Sequence, residues 1–395
     1  MKKLSVLNLT PALIGLGSLL VYILACTSFS PDDTKVLYDA VDGKTGMTGV
    51  AVYDRKTGKS EVLFQPFTLY GPNLERKAAL LRPQWVEGGH SFLTAWRAGG
   101  DDSDNTSLNI AVLPFDRRGP ARIFEATDLG DDGASLFYYW PVPVAGKYLF
   151  LVGRSNSIVR VDYGTGEMRR ETNQEQVVPL PSPDNDRLFY LSGADKTNGA
   201  SEYGVMDPET FARTPLFHIA EGKVSVFSLA LSRDARSLAY QVEDEKPPVI
   251  HLLESGKAAK TLSLASLGGE AEVSVRQFSP KGDILYGCYE RPEEEGSGVE
   301  YGLAEIPRDG SPARKTVLIS KAPAGGKDQW ASLQVDLSHD GKTVAVDSLW
   351  LAYNEHPINS EDCALFLVDV SGSGREVTKV AIPMPPKETP SPFGK

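Results

Sequence analysis

A short turn that recurs along the chain is the sequence feature that most constrains its fold. In each copy a serine opens a polar turn that contains aspartate or glycine, and an apolar run follows. Four copies are clear, at 182–190, 232–240, 279–286 and 338–346. A polar turn between apolar runs is typical of a β-hairpin, because Asp, Asn and Gly tolerate the backbone angles of tight turns. Such repetition predicts a fold assembled from one supersecondary unit.

Three weaker copies lie nearer the N-terminus, at 34–38, 88–93 and 145–150. All seven copies share an apolar residue at one equivalent position. These residues are Val36, Phe92, Leu149, Leu188, Leu238, Leu285 and Val344. The intervals between them are 56, 57, 39, 50, 47 and 59 residues. Intervals of this size fit a four-stranded unit with loops of variable length.

Seven such units predict an all-β fold, a β-propeller of seven four-stranded blades over residues 34–382. An open run of that many strands would leave long exposed edges, whereas a ring leaves only short, protected ones. One hypothesis for closure is strand sharing between the two chain ends, with residues 34–40 pairing beside residues 363–370. The proline-rich residues 383–395 are predicted to form a disordered tail.

The turns resemble the WD40-like PD40 repeats of TolB-like and Tricorn-like β-propellers over about residues 34–382. A Ser-Pro pair is present in the copies that begin at Ser182 and Ser279. This resemblance implies a fold rather than a function. We expect neither the α/β domain that precedes the TolB propeller nor the hydrolase domain of prolyl-oligopeptidase relatives, so neither activity is carried over.

The N-terminal segment has the pattern of an export signal. Lys2 and Lys3 precede an apolar stretch, 11–25, that ends in Ala25. The sequence Ile-Leu-Ala-Cys at 23–26 resembles a bacterial lipobox, which implies cleavage after Ala25 and acylation of the Cys26 thiol. Residues 1–25 are then a lipoprotein signal peptide, and 26–33 are a tether to the propeller. Two alternatives stay open: an uncleaved signal anchor, and an ordinary secretory signal cleaved near Ala25.

Acylation of Cys26 predicts a membrane-anchored protein of the bacterial cell envelope. No aspartate follows the cysteine, since the next residues are Thr27 and Ser28. By its resemblance to enterobacterial lipoproteins, this pattern favours the outer membrane, with the propeller on the periplasmic or the surface face.

The other cysteines and one acidic loop are further candidate site residues. Cys288 and Cys363 either form a disulfide in an oxidising compartment or lie as small apolar side chains within strands. Asp101, Asp102 and Asp104 gather oxygen donors of the kind that calcium binds, but the sequence lacks the rest of an EF-hand pattern, so a solvated acidic loop is the favoured explanation and a calcium loop the weaker alternative. Cysteine and histidine show no metal-ligand spacing, so we predict no bound metal and no cofactor.

Common catalytic motifs are missing from the sequence, which contains no G-x-S-x-G, P-loop or dinucleotide fingerprint. With 41 basic and 52 acidic residues the net charge is −11, and no basic patch is present, so nucleic acid is not an expected partner. We therefore predict a non-catalytic binding module for an envelope protein or ligand that the sequence does not identify. The alternative is a propeller enzyme, such as a lactonase, lyase or glycan hydrolase, with its site at the channel mouth.

Overall fold

The structure is a computed structural model, and it is almost entirely β-structure where it describes the chain. Within the described ranges, two single-turn 3-10 helices, Glu87–Gly89 and Ala265–Leu267, interrupt the strands. The described residues are 27–41, 48–64, 83–98, 107–116, 121–124, 142–144, 146–152, 156–175, 177–182, 186–193, 201–219, 224–242, 245, 248–268, 271–292, 298–323, 334–348 and 364–380.

Seven four-stranded antiparallel sheets form the blades, and each sheet takes its strands in chain order. The prediction of an all-β, seven-bladed propeller is confirmed. Blades 1 to 3 contain β1 (Ser28–Phe29), β2 (Lys35–Val41), β3 (Thr48–Asp54), β4 (Lys59–Phe64); β5 (Gln84–Val86), β6 (Ser91–Ala98), β7 (Ser107–Pro114), β8 (Arg122–Phe124); and β9 (Val142–Val144), β10 (Tyr148–Val152), β11 (Ser157–Asp162), β12 (Met168–Thr172).

The same arrangement continues through the rest of the ring. Blades 4 and 5 contain β13 (Val177–Pro181), β14 (Leu188–Ser192), β15 (Ser201–Met206), β16 (Arg213–Ile219); and β17 (Val224–Leu231), β18 (Ser237–Val242), β19 (Ile250–Glu254), β20 (Lys260–Leu262). Blades 6 and 7 contain β21 (Glu272–Phe278), β22 (Ile284–Pro292), β23 (Gly298–Pro307), β24 (Arg314–Pro323); and β25 (Gln334–Leu337), β26 (Thr343–Asp347), β27 (Leu365–Asp369), β28 (Val377–Val380). The seven residues predicted to be equivalent lie one in the second strand of each blade.

The hydrophobic core lies between neighbouring blades. One cluster joins blades 2 and 3 through residues such as Leu93 and Leu149, and another joins blades 3 and 4 through Phe150 and Tyr190. The largest cluster spans blades 6, 7 and 1. Because each apolar strand face is covered by the next blade, burial of these faces stabilises the ring as a whole.

The recurring serine organises the turn between the first and second strands. In blade 7 the Ser338 N–H donates to the Thr343 carbonyl at 2.9 Å, and the Thr343 N–H donates back to Ser338 Oγ at 2.9 Å. The Ser338 hydroxyl in turn donates to Asp340 Oδ1 at 2.7 Å. The same reciprocal pair of bonds, with donation to an aspartate, occurs at Ser30, Ser182, Ser232 and Ser279. The repeated sequence therefore closes the β-hairpin between the first and second strands of these blades.

The fourth residue of this turn has a left-handed backbone conformation. Its φ is +55° at Asp33, +59° at Ala235, +71° at Gly282 and +70° at Gly341. Glycine adopts such angles without cost, and Asp or Asn tolerates them, whereas an alanine Cβ is strained there. This requirement explains why glycine recurs at the fourth position, whereas the aspartates of the motif recur chiefly as acceptors of the serine hydroxyl.

Blade 1 begins earlier than the sequence analysis predicted. Ser28 and Phe29 pair with Leu37 and Val36 as the first strand, and Ser30 opens a complete copy of the turn. The predicted tether, 26–33, is therefore wrong for 28–33, which form the first strand and turn of the propeller. These residues escaped notice because they directly follow the apolar leader and read as its polar flank.

Ring closure does not use strand sharing. β2 pairs with β1 and β3, and β27 pairs with β26 and β28, so the hypothesis of pairing between residues 34–40 and 363–370 is wrong. The chain supplies its own first strand to blade 1, which leaves no vacancy for a strand from the other end. Closure depends instead on contacts between complete blades.

Two arginines make equivalent contacts across blade boundaries. Arg55 follows β3 and donates to Thr343 Oγ1 of blade 7 at 2.7 Å. Arg308 follows β23 and donates to Ser237 Oγ of blade 5 at 2.7 Å. In each case the acceptor is the residue that closes the serine turn of the preceding blade. The contact at the seam between blades 7 and 1 thus repeats one made elsewhere in the ring.

Replacing the strained alanine should stabilise the protein. Because Ala235 has a φ of +59°, we expect Ala235→Gly to raise the free energy of unfolding by about 0.5–1 kcal/mol, the net of strain relief and the greater flexibility of unfolded glycine. Thermal and urea unfolding measure this change. Ala258→Gly, at an exposed alanine outside the positive-φ set, is the control and should not stabilise. An equal effect of both substitutions would contradict the assignment.

Candidate functional site

A cavity of about 390 Å³ opens at the end of the ring where the serine turns lie, which we call the turn face. Its walls include residues from all seven blades. The first strands lead into this cavity, and the turns after them form its rim. Concave pockets that combine apolar surface with a few polar groups are the usual places for ligand binding in proteins.

The cavity lining combines apolar rings with a mixed set of charges. Phe29, Trp85 and Phe278 contribute aromatic surface, and Pro31 and Pro280 contribute rigid apolar rim positions. The charged side chains of the lining are acidic except for one arginine and one histidine. The lining charges are Glu87, Asp186, Asp336, Arg233 and His339.

Side-chain acceptors join the first strands of blades 6, 7, 1 and 2 around this cavity. In each bond a backbone N–H of one blade donates to a side chain of the preceding blade. The three bonds are Leu337 N–H to Gln277 Oε1 (3.1 Å), Phe29 N–H to Asp336 Oδ2 (2.9 Å) and Trp85 N–H to Ser28 Oγ (3.3 Å). Unpaired N–H groups at the inner blade edges are costly to bury, and these acceptors satisfy them.

A second carboxylate holds the seam between blades 7 and 1 at the rim. Asp33 Oδ1 accepts the backbone N–H of His339 at 2.8 Å and also lies 2.8 Å from His339 Nδ1. Asp33 Oδ2 accepts the N–H of Asp340 at 2.9 Å. One carboxylate in the turn of blade 1 thus receives backbone donors from the turn of blade 7.

Glu87 is also bonded to neighbouring groups. Its Oε2 accepts the Ser91 hydroxyl at 2.5 Å, and its Oε1 lies 2.6 Å from Arg122 Nη2. These bonds and the ion pair hold the pKa of Glu87 below its usual value despite a counteracting penalty from burial. Asp186 receives the Ser182 hydroxyl at 2.7 Å. The acids of the cavity therefore already serve as structural acceptors.

Asp336 differs electrostatically from the other acids of the cavity. Burial raises the pKa of its carboxyl from the ordinary 3.8 to about 6, although the Phe29 N–H, the His339 side chain and the Leu337 N–H each oppose that shift. The nearby negative charge of Asp33 adds to it. A carboxyl at the seam is therefore half protonated in mildly acidic solution.

Two carboxylates face each other at the end of blade 6 that is opposite the turn face. We call this end of the ring the far face. Glu290 of β22 is directly opposite Glu272 of β21 in the strand register. Burial, and then repulsion from Glu272, raise the pKa of Glu290 to about 7. An acid with such a pKa can donate or accept a proton near neutral pH.

Most of the site residues predicted from sequence lie outside the described part of the chain. This applies to Ala25, Cys26 and Cys363, and to the acidic loop residues Asp101, Asp102 and Asp104. Cys288 lies buried in β22, where burial raises the pKa of its thiol to about 12. The disulfide, the lipid attachment and the calcium loop therefore stay predictions.

Two further features are absent from the described ranges. No cluster of three or more His, Cys, Asp or Glu side chains there is arranged to hold a metal ion. None of the helices in those ranges is long and apolar enough to cross a membrane.

The residues that line the cavity and close the ring were not identified from sequence. Asp336 and Gln277 each stand two positions before a turn serine, at a position where blade 1 has Ser28. A polar residue at this place, next to an apolar strand residue, is the signal that could have revealed them. Because its identity differs from blade to blade, the repeat pattern alone did not.

Comparison with known proteins shows the fold. No protein-family model and no curated protein matches the chain. A chain from the complex of KlAtg21 with the coiled coil of AgAtg16 is 12% identical with a TM-score of 0.55, covering 90% of this chain and 98% of that one. A prolyl endopeptidase is 12% identical with a TM-score of 0.55, over 95% of this chain and 53% of that one.

TolB from Acinetobacter baumannii is also among the matched structures. It is 14% identical with a TM-score of 0.40, over 72% of this chain and 66% of that one. Identities of this size show a shared architecture only. The propeller fold that the TolB-like resemblance implied is shown by the strand topology itself, whereas the PD40 assignment of the turns stays a prediction.

The raised pKa of Asp336 predicts a pH-dependent contribution to stability. Between about pH 4 and 6 the folded state keeps a proton that the unfolded state has lost, so this contribution falls as pH rises. The stability of the wild type relative to Asp336→Asn should therefore drop by about 1–3 kcal/mol from pH 4.5 to 7.5. Urea unfolding of both proteins at both pH values measures this drop. Any loss of stability from the substitution that does not depend on pH cancels in the comparison.

Asp207→Asn is a control of opposite sign. The Thr210 backbone N–H and hydroxyl hold the pKa of Asp207 below its usual value, so the wild type should gain relative to this variant as pH rises through the acid range. A difference between wild type and Asp336→Asn that does not change with pH would contradict the assignment.

Proposed function

We propose that the chain is a lipid-anchored β-propeller of the bacterial cell envelope that acts as a non-catalytic binding module through its turn-face cavity. The observation that carries this proposal is that the acidic side chains of the cavity already accept hydrogen bonds within the structure. Asp336 and Glu87 of the cavity lining, together with Asp33 in the neighbouring turn of blade 1, accept hydrogen bonds that hold neighbouring segments together. A carboxylate held in this way supplies structure and surface charge.

The shape of the cavity favours a polypeptide segment as the ligand. Its volume, about 390 Å³, accommodates a few side chains. Aromatic rings and prolines provide rigid apolar contact area at little cost in conformational entropy. The acidic excess of the lining and the net charge of −11 favour a partner segment that carries basic as well as apolar side chains.

The proposed location rests on the N-terminal sequence. A basic start, an apolar stretch and Ala25-Cys26 together supply what export and acylation require. Association with a membrane through one acylated cysteine would concentrate the propeller near envelope partners. The outer membrane is favoured because no aspartate follows Cys26.

The alternative function, a propeller enzyme, is favoured by one specific observation. Glu290, with a pKa of about 7, lies opposite Glu272, and a carboxyl of this kind suits general acid or base catalysis. Steady turnover of a lactone, uronide or glycoside that is lost in Glu290→Gln, in a protein that remains folded, would replace the binding proposal by this one.

Acylation is tested by metabolic labelling with a palmitate analogue. We expect the native chain to be labelled and membrane-bound, and Cys26→Ala to be unlabelled and released from the membrane fraction, because the thiol is the acyl acceptor. Cys363→Ala is the matched control and should keep the label. A native chain without label would refute the anchor.

The binding surface is tested by site-specific photocrosslinking in cells. A photoreactive residue in place of Asp186, an exposed side chain of the cavity rim, should give discrete crosslinked products with envelope proteins. The control position is Glu167, which is exposed on the turn face of blade 3 outside the cavity lining. Equal crosslinking from both positions, or none from position 186, would contradict the proposed surface.

A further inference from the structure

Tyr163 is a buried tyrosine whose hydroxyl lies beside the cavity without a hydrogen-bond partner. Its side chain belongs to the apolar cluster between blades 2 and 3 and is 1% exposed, and no described group bonds to its hydroxyl. Buried polar groups are nearly always hydrogen-bonded, because nothing else compensates for the loss of contact with water. An unpartnered buried hydroxyl at the edge of a candidate binding site is therefore a candidate contact for the ligand.

Tyr163 stands at a position that makes contacts between blades elsewhere in the ring. It directly follows the third strand of its blade, as do Arg55 and Arg308. In all three the backbone N–H donates to the carbonyl of the residue that immediately precedes the second strand. The side chains of Arg55 and Arg308 then donate to the hydroxyl residue that begins the second strand of the preceding blade. For Tyr163 the equivalent residue is Ser91, which begins β6.

The polar groups around Tyr163 are bonded to one another instead. The Ser91 hydroxyl donates to Glu87 Oε2 at 2.5 Å and makes no bond with Tyr163. Arg122 lies over the tyrosine ring, with its guanidinium carbon 5.2 Å from the ring centroid, and its Nη2 is 2.6 Å from Glu87 Oε1. The Tyr163 hydroxyl is thus left without the partner that the two arginines have in blades 1 and 6.

The hydroxyl faces a small gap in the wall of the cavity. A Cβ atom at Gly146 would lie 3.9 Å from the Tyr163 hydroxyl and 4.0 Å from Glu87 Cα, so the place of the missing side chain has room for an atom in ordinary van der Waals contact. Gly146 and Glu87 both line the cavity. A ligand atom that enters this corner therefore comes within reach of the hydroxyl.

The charges around the gap select the kind of ligand atom. Burial raises the pKa of Tyr163, so its hydroxyl keeps its proton and can donate. Despite burial, which acts in the opposite direction, the bonds from Ser91 and Arg122 hold the pKa of Glu87 below its usual value. The ionised Glu87 repels a second carboxylate at this corner. A neutral acceptor fits, and in a polypeptide the backbone carbonyl is present at every residue.

We propose that the Tyr163 hydroxyl donates a hydrogen bond to a backbone carbonyl of the polypeptide segment that binds in the turn-face cavity, at the corner formed by Glu87 and Gly146. The proposal rests on the proposed function of the cavity and assigns one contact within it. The hydroxyl is already removed from water in the folded protein, so this bond costs no further desolvation of the donor. The contact positions the backbone of the ligand whatever its side chains are.

The contact is tested by comparing the yield of photocrosslinking from position 186 in cells. Tyr163→Phe removes only the donor, and phenylalanine is compatible with the position because Phe115 occupies it in blade 2. We expect the crosslinked product to fall about 3- to 10-fold at equal, low expression, the loss of one hydrogen bond to the ligand. Tyr203→Phe, at a buried tyrosine of blade 4 outside the cavity lining, is the control and should keep the yield.

Gly146→Asn tests the same contact by filling the gap. Asparagine tolerates the φ of +63° at this position, and its side chain would take the place of the ligand atom. The yield should fall as in Tyr163→Phe, and the two substitutions together should lower it little further, because they remove the same contact. Gly166→Asn is the matched control, since Gly166 has a φ of +77°, open space at its Cβ position and a place outside the lining.

Thermal unfolding of the purified full-length proteins separates a contact with the ligand from a structural role. Because the hydroxyl has no partner in the fold, Tyr163→Phe should leave the melting temperature unchanged or raise it. A lower melting temperature, or a crosslinking yield equal to that of the wild type, would overturn the assignment of Tyr163 and leave the binding function of the cavity standing. Absence of crosslinks from position 186 in the wild type would instead refute the proposed function and this contact with it.

Discussion

Closure of the ring depends on carboxylates that accept backbone N–H groups across the boundary between the last blade and the first. Asp336 receives the N–H of Phe29, and Asp33 receives the N–H groups of His339 and Asp340. A blade sheet leaves polar groups unpaired at its inner edge, and burying such groups without a partner is costly. Side-chain acceptors solve this problem where no shared strand is available.

The same bonds determine what kind of surface the turn face can be. The acids of the cavity are held by N–H and hydroxyl donors, so they contribute negative potential without being free to move. Between them lie Trp85, Phe278 and Pro280, whose shapes are rigid. A preorganised surface of this kind loses little conformational entropy when a ligand binds, which is an advantage for a recognition site.

The repeated turn was sufficient to predict the fold class, the blade count and one residue in every second strand, because its chemistry is local. In five blades a serine and an aspartate close the hairpin between the first two strands. The copy at Ser30 was missed since it adjoins an apolar leader that obscures its context. The acceptors Gln277, Asp336 and Ser28 were missed for a different reason. Their role concerns a backbone group of the next blade, and any side chain with an oxygen can fill it, so residue identity carries no repeat signal. The contacts that close the ring, and the cavity that these contacts surround, therefore become visible only once the blades are assembled.

The position of β1 also has a consequence for the order of folding. Most inter-blade bonds join residues about one blade apart, such as Trp85 with Ser28 at a separation of 57 residues. The bond between Phe29 and Asp336 joins residues 307 apart, and that between Asp33 and His339 joins residues 306 apart. Hairpins can form as each blade emerges, but the ends cannot meet until nearly the whole chain is present. High contact order of this kind makes closure the slow, late event of folding, and until it occurs blade 1 lacks one of its two neighbours.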